Sequence, residues 1–582
     1  MSSPVNAGVI SSSKRGNREF SDLFFWIAAL ILMFWALGSI SLWGSEDRWA
    51  EVTREMFLTG RFFHPTINGE PYFDKPLLTY WFVALVRVLT GRLDEWTVRL
   101  PSAISGVVCL WATVYLGRRL WSREVGRLAG WILLTSYGFL FWARTGQANM
   151  ENMAAIMLAL AWYWSRRDRP CFLTYLVFYV ILATGAQMKG LTAVAVPLAA
   201  VIPDLLREKR WRYLLGPSHL LALVIGLCIY FGPFVYSALT REGYESSGLA
   251  LVFRENIERY FKPFDHREPF YVYLIHLPTL LLPWSPLFLV GVTSAIFTVR
   301  WRRLGAHTQW LAASATLVFV MFTASGSRRI YYILPMLPFC ALFLGLFLAG
   351  PGRERWKQVG LGIQGLLFVG LAALEAVTPV VWPLAKRYVG TELPASLIAG
   401  TGLVGLLGLA PWLFHSRLSG PIERITGMRG RIAPLMVTVV FLMGGFFCFQ
   451  KVTLECFATT PDFARRLAST GRRADEIAFF EESRTDVIFY MNCQVPSPVL
   501  SGRDEIVRFL ESRGERGVII LPVGDLDRLR AMLPEGAQGD SVVVERSSPW
   551  LDDPSELLVA WRLKSKAGTA SPRECSPKAG GS

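Results

Sequence analysis

The sequence predicts an α-helical membrane protein that crosses the bilayer many times, and three observations carry that expectation. Apolar stretches close to the roughly 20 residues needed to span a bilayer recur from Phe24 to Phe449. Only 18% of the 582 residues are charged, against about 25% in an ordinary soluble protein, while 52% are hydrophobic. Lys and Arg gather in alternate connections between the apolar runs. Such loops by themselves raise the net charge, which is +15. That charge is therefore no argument for nucleic acid, and no reader motif of the usual kinds is present.

The first apolar run, Leu23 to Trp43, follows Lys14, Arg15 and Arg18. It is too long for a signal-peptide core and lacks a small-residue cleavage site, so it reads as a retained first span. Residues 1–20 form a polar cytoplasmic tail, expected to be disordered. Further spans are expected near 98–117, 125–142, 152–164, 171–187, 190–206, 214–239, 272–297, 309–324, 330–349, 358–384, 395–414 and 432–450, about thirteen in all. Leu77–Leu89 is shorter and follows Pro76, which suggests an interfacial or re-entrant helix rather than a span.

With the N-terminus inside, the connections expected in the cytoplasm are the basic ones. They hold Arg118, Arg119 and Arg123; Arg166, Arg167 and Arg169; Arg207, Lys209, Arg210 and Arg212. Later ones hold Arg300, Arg302 and Arg303; Arg353, Arg355 and Lys357; and Arg417, Arg424, Arg429 and Arg431. The opposite connections carry mixed charge, as the positive-inside rule requires. Counting Leu77–Leu89 as a span would reverse every later connection. The loops 44–97, 143–151, 240–271, 325–330 and 385–394 then lie outside, as does everything after Lys451. A transmembrane region over 21–450 is followed by a small extracytoplasmic α/β domain over 451–563 and a Ser-, Gly- and Pro-rich tail over 564–582. In the α/β segment, Val487–Tyr490 and Gly517–Leu521 read as strands, and Asp504–Glu511 and Asp525–Met532 as helices. Cys456 and Cys493 would share this oxidising compartment and could pair.

The outer side holds the residues suited to chemistry. Glu46, Asp47, Arg48, Glu51, Arg54 and Glu55 follow the first span. Glu51 and Glu55 sit at helical spacing and read as a solvated face or as partners of Arg48 and Arg54. Glu46 stands at the mouth of the bundle, where partial desolvation could tune a carboxylate as a general base. Tyr72-Phe73-Asp74-Lys75-Pro76 then offers a Lys for a phosphate and an Asp for a divalent cation, or simply an exposed ion pair. Arg144 and Glu151 flank one outer connection, Lys189 lies between two apolar runs, and Arg328 and Arg329 precede Tyr331 and Tyr332. Ionisable groups at span ends are costly unless they snorkel, pair or line a cavity. An anionic ligand at this surface would account for basic residues recurring where the positive-inside rule disfavours them. His266 lies in an outer loop, where a lone His is ordinarily a solvated residue.

Several stretches together resemble the ArnT-like lipid-linked-sugar glycosyltransferases, relatives of the protein O-mannosyltransferases with the GT-C membrane fold. They are AEVTREM through NGEPYFDKPLLTYW, RLPSAISG, ARTGQANMEN, KGLTAVAVP, FRENIERYFKPFDHREPFYVYL with LPWSP, and SRRIYYILPMLP. They follow the family order and cover roughly residues 40–350. The resemblance implies transfer of a sugar from a polyprenyl phosphate to lipid A, an envelope glycan or a protein, by inverting displacement at the outer face of the inner membrane. It implies no nucleotide, no nucleic acid and a monomer among membrane lipids. Carried over by position, Lys75, Arg328, Tyr331 and Tyr332 would bind the phosphate, with Arg48, Tyr72, Arg144, Lys189 and Arg329 around the substrate. Asp74 and His266 would hold a divalent metal ion (Zn, Mg or Mn). The family's first loop usually opens Asp-Glu, whereas this one opens Ser45-Glu46. Serine cannot serve as the base, so Glu46, Asp47 or Glu151 would take that role, or the activity is altered. The competing reading is a transporter or flippase of lipid-linked sugars, although no internal repeat of the kind common in transporters is visible.

Overall fold

The computed structural model describes residues 5–209, 214–240, 254, 258, 261, 268–389, 395–457, 459–534, 539–546 and 554–564, the side chains of 5–18, 385–389 and 451–457 excepted. The chain divides into two units, Met1–Glu455 and Cys456–Ser582.

The first unit is a bundle of helices. It opens with α1 (Val5–Phe34), α2 (Glu46–Thr59), a small hairpin of β1 (Thr66–Ile67) and β2 (Glu70–Pro71), and α3 (Leu78–Thr90). Then come α4 (Glu95–Leu120), α5 (Arg123–Leu134), α6 (Tyr137–Ala143), α7 (Asn149–Arg166), α8 (Phe172–Lys189), α9 (Thr192–Arg207) and α10 (Pro217–Thr240). Among the described residues seven helices are long and apolar enough to cross a membrane: Glu95–Leu120, Phe172–Lys189, Pro217–Thr240, Ile330–Ala349, Glu354–Leu384, Ala395–Leu413 and Ile432–Gln450. Each coincides with an expected span. Two expectations change near the N-terminus. Residues from Val5 are helical rather than an unstructured tail, and the first helix stops at Phe34, short of Trp43.

Two expected spans are broken, and each break satisfies the other. The run 125–142 parts at Thr135 and Ser136, whose hydroxyls return to the carbonyls of Trp131 and Ile132 at 2.6 Å each. The run 272–297 parts between Tyr273–Leu281 and Ser285–Thr298. Trp284 Nε1 donates to Thr135 Oγ1 at 2.9 Å, and the Tyr137 amide donates to the Leu282 carbonyl at 2.7 Å. Backbone freed inside a bundle must find such partners, because hydrocarbon supplies none.

Small residues set the close helix contacts. A Cβ at Gly117 of α4 would sit 2.5 Å from Gly126 Cα of α5. A Cβ at Gly185 of α8 would sit 2.5 Å from Ala155 Cβ of α7. Only small residues allow helix axes to approach so closely. The α7–α8 contact matters most, because it carries Lys189, one turn beyond Gly185, to the start of α7.

The second unit holds a five-stranded sheet in the order β4-β3-β5-β7-β6. The strands are β3 (Ile477–Phe480), β4 (Val499–Leu500), β5 (Val518–Pro522), β6 (Gly539–Val544) and β7 (Leu558–Leu563). The first three are mutually parallel, and β7 and β6 are antiparallel additions. The expected strand at Val487–Tyr490 is instead the helix Thr485–Met491. A run of four apolar residues has no periodicity to separate helix from strand, and Val487 and Ile488 are buried from the helix among Phe463, Leu467 and Ile477. The Cys456 side chain lies outside the described residues, and with it the expected pairing to Cys493.

Candidate functional site

The first outer loop is a scaffold before it is a site. Asn68 and Gly69, both at positive φ, turn β1 into β2 in the two-residue hairpin that Asn-Gly favours. Glu55 of α2 anchors that turn: it accepts from the Thr66 hydroxyl and, at 3.2 Å, from the Gly69 amide. The Glu55 carboxylate thus holds the turn through one side-chain hydroxyl and one backbone amide. Glu51 pairs with Arg54 at 2.7 and 2.8 Å. All three side chains are buried, so this part of α2 is not a solvated face. Burial pushes the Glu51 carboxyl up to about 7 in spite of Arg54.

The hairpin delivers Tyr72 to Pro76 to a chain of polar contacts. Arg48 Nη1 donates to the Tyr72 hydroxyl at 3.3 Å, and that hydroxyl donates to Asp74 Oδ2 at 3.3 Å. Lys75 Nζ donates to the same oxygen at 2.7 Å. Burial works against the Asp74 carboxylate, but Lys75 and Arg48 outweigh it and hold the carboxyl below its usual range. Burial, helped by the Asp74 charge, pushes the Tyr72 phenol up to about 12.

Asp74 and Lys75 open onto a cavity of about 220 Å³ that also takes Asn149 and Asn152 of α7, Lys189 of α8, and Tyr331 and Tyr332. Lys189 Nζ donates to Asn149 Oδ1 and lies 4.9 and 5.6 Å from the Tyr331 and Tyr332 ring centres. Most of the remaining wall is apolar, including Leu191, Phe234, Phe322 and Leu334. Residues from five separate stretches of sequence therefore make one pocket with two ammonium groups, two phenols and an oily wall.

Other expected residues fall elsewhere. Arg328 folds away from the cavity onto carbonyls, donating to Thr323 at 3.2 and 3.0 Å and to Glu268 at 2.6 Å. Arg329 Nη1 donates to the Tyr331 hydroxyl at 2.7 Å, so it supports the wall from behind. Arg144 donates to the carbonyls of Leu32 and Met33 at 2.8 and 3.2 Å and so closes the C-terminal end of α1. Its geometry is that of a helix cap rather than a ligand contact.

The carboxylates divide sharply. Glu46 is fully buried, and Arg99 takes both its oxygens, Nε to Oε1 at 2.9 Å and Nη2 to Oε2 at 2.7 Å. The amides of Gly146 and Trp43 donate to it as well. The expectation of a half-desolvated base at the bundle mouth is thereby corrected: this carboxylate is committed to holding α2, α4 and the 144–148 connection together. Asp47 stands beside Arg48 in the first turn of α2; burial works against the Arg48 charge, but Tyr72 and, to a lesser degree, Asp47 raise its pKa. Glu151 lies in the first turn of α7, buried against Ser102 of α4; it is next to Asn152 in sequence but does not itself line the cavity. Ser102 Oγ donates to its Oε1 at 2.9 Å, and its Oε2 has no hydrogen-bond partner among the described residues.

Among the described residues no group of three His, Cys, Asp or Glu side chains is placed to hold a metal ion. Asp74 is engaged by Tyr72 and Lys75, and His266 lies outside the described residues. Asn149 and Asn152 were not singled out from the sequence. Their signal was present: two amides three residues apart, on one face at the mouth of an apolar helix.

A family model described as dolichyl-phosphate-mannose-protein mannosyltransferase matches residues 74–236. The chain is 29% identical over 395 residues to the undecaprenyl phosphate-alpha-4-amino-4-deoxy-L-arabinose arabinosyl transferase of Pseudomonas aeruginosa, covering 66% of this chain and 69% of the relative. It is 28% identical over 423 residues to the enzyme of the same name from Edwardsiella ictaluri, covering 68% and 72%. The fold matches the crystal structure of ArnT from Cupriavidus metallidurans bound to undecaprenyl phosphate, with a TM-score of 0.69 at 19% identity over 94% of this chain and 99% of the other. The apo form of that protein matches at 0.64. In sequence and in fold alike, the resemblance to the ArnT-like lipid-linked-sugar glycosyltransferases holds, and the chain has their GT-C membrane fold.

Proposed function

We propose that the chain is a membrane glycosyltransferase that moves a sugar from a polyprenyl-phosphate donor to an acceptor at the outer face of the inner membrane. One observation carries the reading: Lys75 and Lys189 meet Tyr331 and Tyr332 in a cavity whose other wall is apolar. Such a pocket suits a phosphate headgroup whose isoprenoid tail stays in lipid. The relatives are named as transferases, which favours chemistry over transport of lipid-linked sugars.

The reaction follows from the charges. The acceptor oxygen forms a bond to the anomeric carbon while the bond from that carbon to the phosphate oxygen breaks, with inversion. Negative charge grows on the departing polyprenyl phosphate, and the two ammonium groups and the phenols offset it in a site of low polarity. The acceptor proton goes to Glu151, whose Oε2 is unengaged. Glu46 serves the frame through Arg99. Asp47, Arg48 and Tyr72 set the position of Asp74 and Lys75. Arg329 supports Tyr331, while Arg328 and Arg144 hold the backbone around the site.

The reading extends to parts of finer grain. About thirteen spans with a cytoplasmic N-terminus would place the unit after residue 450 outside, as the charge pattern supports. Asp74 and His266, an oxygen and a nitrogen donor, would hold a divalent ion such as Zn and add positive charge beside the phosphate. The names of the relatives favour aminoarabinose over other sugars; the acceptor would be lipid A, another envelope glycan or a protein, and the enzyme would act as a monomer. Incubation of the purified protein with labelled undecaprenyl-phosphate aminoarabinose and lipid A tests this. Labelled lipid A together with free undecaprenyl phosphate is expected. Movement of intact donor across vesicles without release of undecaprenyl phosphate would establish the transporter instead.

A further inference from the structure

A second cavity, of about 670 Å³, lies at the other end of α7. Asn149 opens that helix at the first cavity and Arg166 closes it at the second, about 25 Å away at the α-helical rise. Helix α4 presents Trp111, Tyr115 and Arg119 to this space, four residues apart and hence along one stripe. Helix α7 answers with Leu158, Trp162 and Arg166 at the same spacing, and Arg169 enters from the connection beyond.

The lining is graded. At one level Trp111 and Tyr115 stack with ring centres 5.6 Å apart and planes at 16°, beside Leu158 and Ile181. At the helix ends the guanidinium of Arg166 lies 5.4 Å from the Trp162 ring, and Arg119 and Arg169 complete a cationic rim. Among the described residues none of these three arginines forms an ion pair. Asp168 also lines the cavity, and its carboxylate faces Arg167 at 3.7 Å. Basic loops on one side of a membrane protein are ordinary. Three guanidiniums lining one cavity outnumber its single carboxylate, Asp168, and leave an excess of positive charge above an aromatic and apolar stripe.

We propose that this cavity binds the headgroup of an anionic phospholipid. Its phosphate sits among Arg119, Arg166 and Arg169, and an acyl chain descends along Trp111 and Leu158. Guanidinium forks match phosphate oxygens, and basic pockets between membrane helices take such headgroups. Free phosphate shares that chemistry, but it would make no use of Trp111, which is 48% exposed, or of the apolar stripe below it.

The test uses the full chain, purified in detergent and exchanged into phosphatidylcholine nanodiscs with and without phosphatidylglycerol. Retained lipid is counted by native mass spectrometry, and folding is checked by the thermal unfolding midpoint. The wild type should retain phosphatidylglycerol over phosphatidylcholine. The triple variant R119Q/R166Q/R169Q should lose that preference on the order of tenfold or more at an unchanged midpoint. A control of equal charge change, R300Q/R302Q/R303Q, should keep it. The proposal is overturned if the control loses the preference equally, which would reduce the effect to general surface charge. It is also overturned if millimolar inorganic phosphate displaces the lipid as readily from wild type, which would mark a site for soluble anions. Should the triple variant not fold, W111A with the arginines intact must lower retention, and unchanged retention would contradict the lipid assignment.

Discussion

Glu46 and Arg99 form a buried, two-pronged ion pair across 53 residues of sequence, with contacts of 2.9 and 2.7 Å. Arg99 also donates to the carbonyls of Leu37, Ile40 and Ser41, the segment between α1 and α2. Removing one member of such a pair leaves the other charged without compensation, at a cost of about 3–5 kcal/mol. Glu46→Gln should therefore lower the thermal unfolding midpoint and the yield of folded protein. An unchanged midpoint with lost activity would return Glu46 to the list of catalytic bases.

Glu55 holds the Asn68-Gly69 turn that carries Lys75 to the cavity. Glu55→Ala strands the Gly69 amide and the Thr66 hydroxyl, at roughly 1–3 kcal/mol for a buried donor left unmade. Amide exchange over residues 66–71 should quicken, and donor KM should rise more than kcat falls. Protection equal to wild type would remove the anchoring role.

Lys75 and Lys189 should both be needed for the donor phosphate. Lys75→Ala and Lys189→Ala are each expected to weaken undecaprenyl-phosphate binding by about 10- to 100-fold, the range of a lost charge-assisted contact. Isothermal titration in detergent reads this directly. Arg328→Gln should instead lower stability, since Arg328 bonds carbonyls beside the site.

The Glu51 carboxyl sets a pH dependence of stability. Its folded value of about 7 lies above the ordinary carboxylate value, so the folded state holds the proton more tightly than the unfolded chain does. The resulting stabilisation is complete below about pH 4 and is lost as pH rises toward neutrality. Unfolding midpoints measured from pH 5 to 8 should fall with rising pH, and more shallowly in Glu51→Gln. A wild-type midpoint that rises across this range would contradict the assignment.

Much of the membrane frame was legible because it rests on local signals. An apolar run of sufficient length must be a helix in lipid, so the seven long apolar helices coincide with expected spans. The break at Thr135–Ser136 was not legible, since Trp284, which satisfies it, lies 149 residues away. The same limit applies to the site. Lys189 could be suspected from its depth, Lys75 as a point charge for phosphate, and Tyr331 and Tyr332 from the resemblance, but the approach of Lys189 to Asn149 depends on the α7–α8 contact at Gly185. Charge alone could not separate Lys189, which enters the cavity, from Arg144 and Arg328, which turn back to carbonyls. Nor could it show that the first acidic residue after α1 is a structural partner of Arg99.

The most direct measurement is the rate of undecaprenyl-phosphate release by Glu151→Gln beside wild type, with donor binding and the unfolding midpoint recorded on the same samples. The expected result is release by the wild type and a fall of roughly 10²- to 10⁴-fold in the variant, with binding and midpoint little changed. Release by Glu151→Gln at the wild-type rate would remove Glu151 as the base. Absence of release by the wild type itself would contradict the transferase reading.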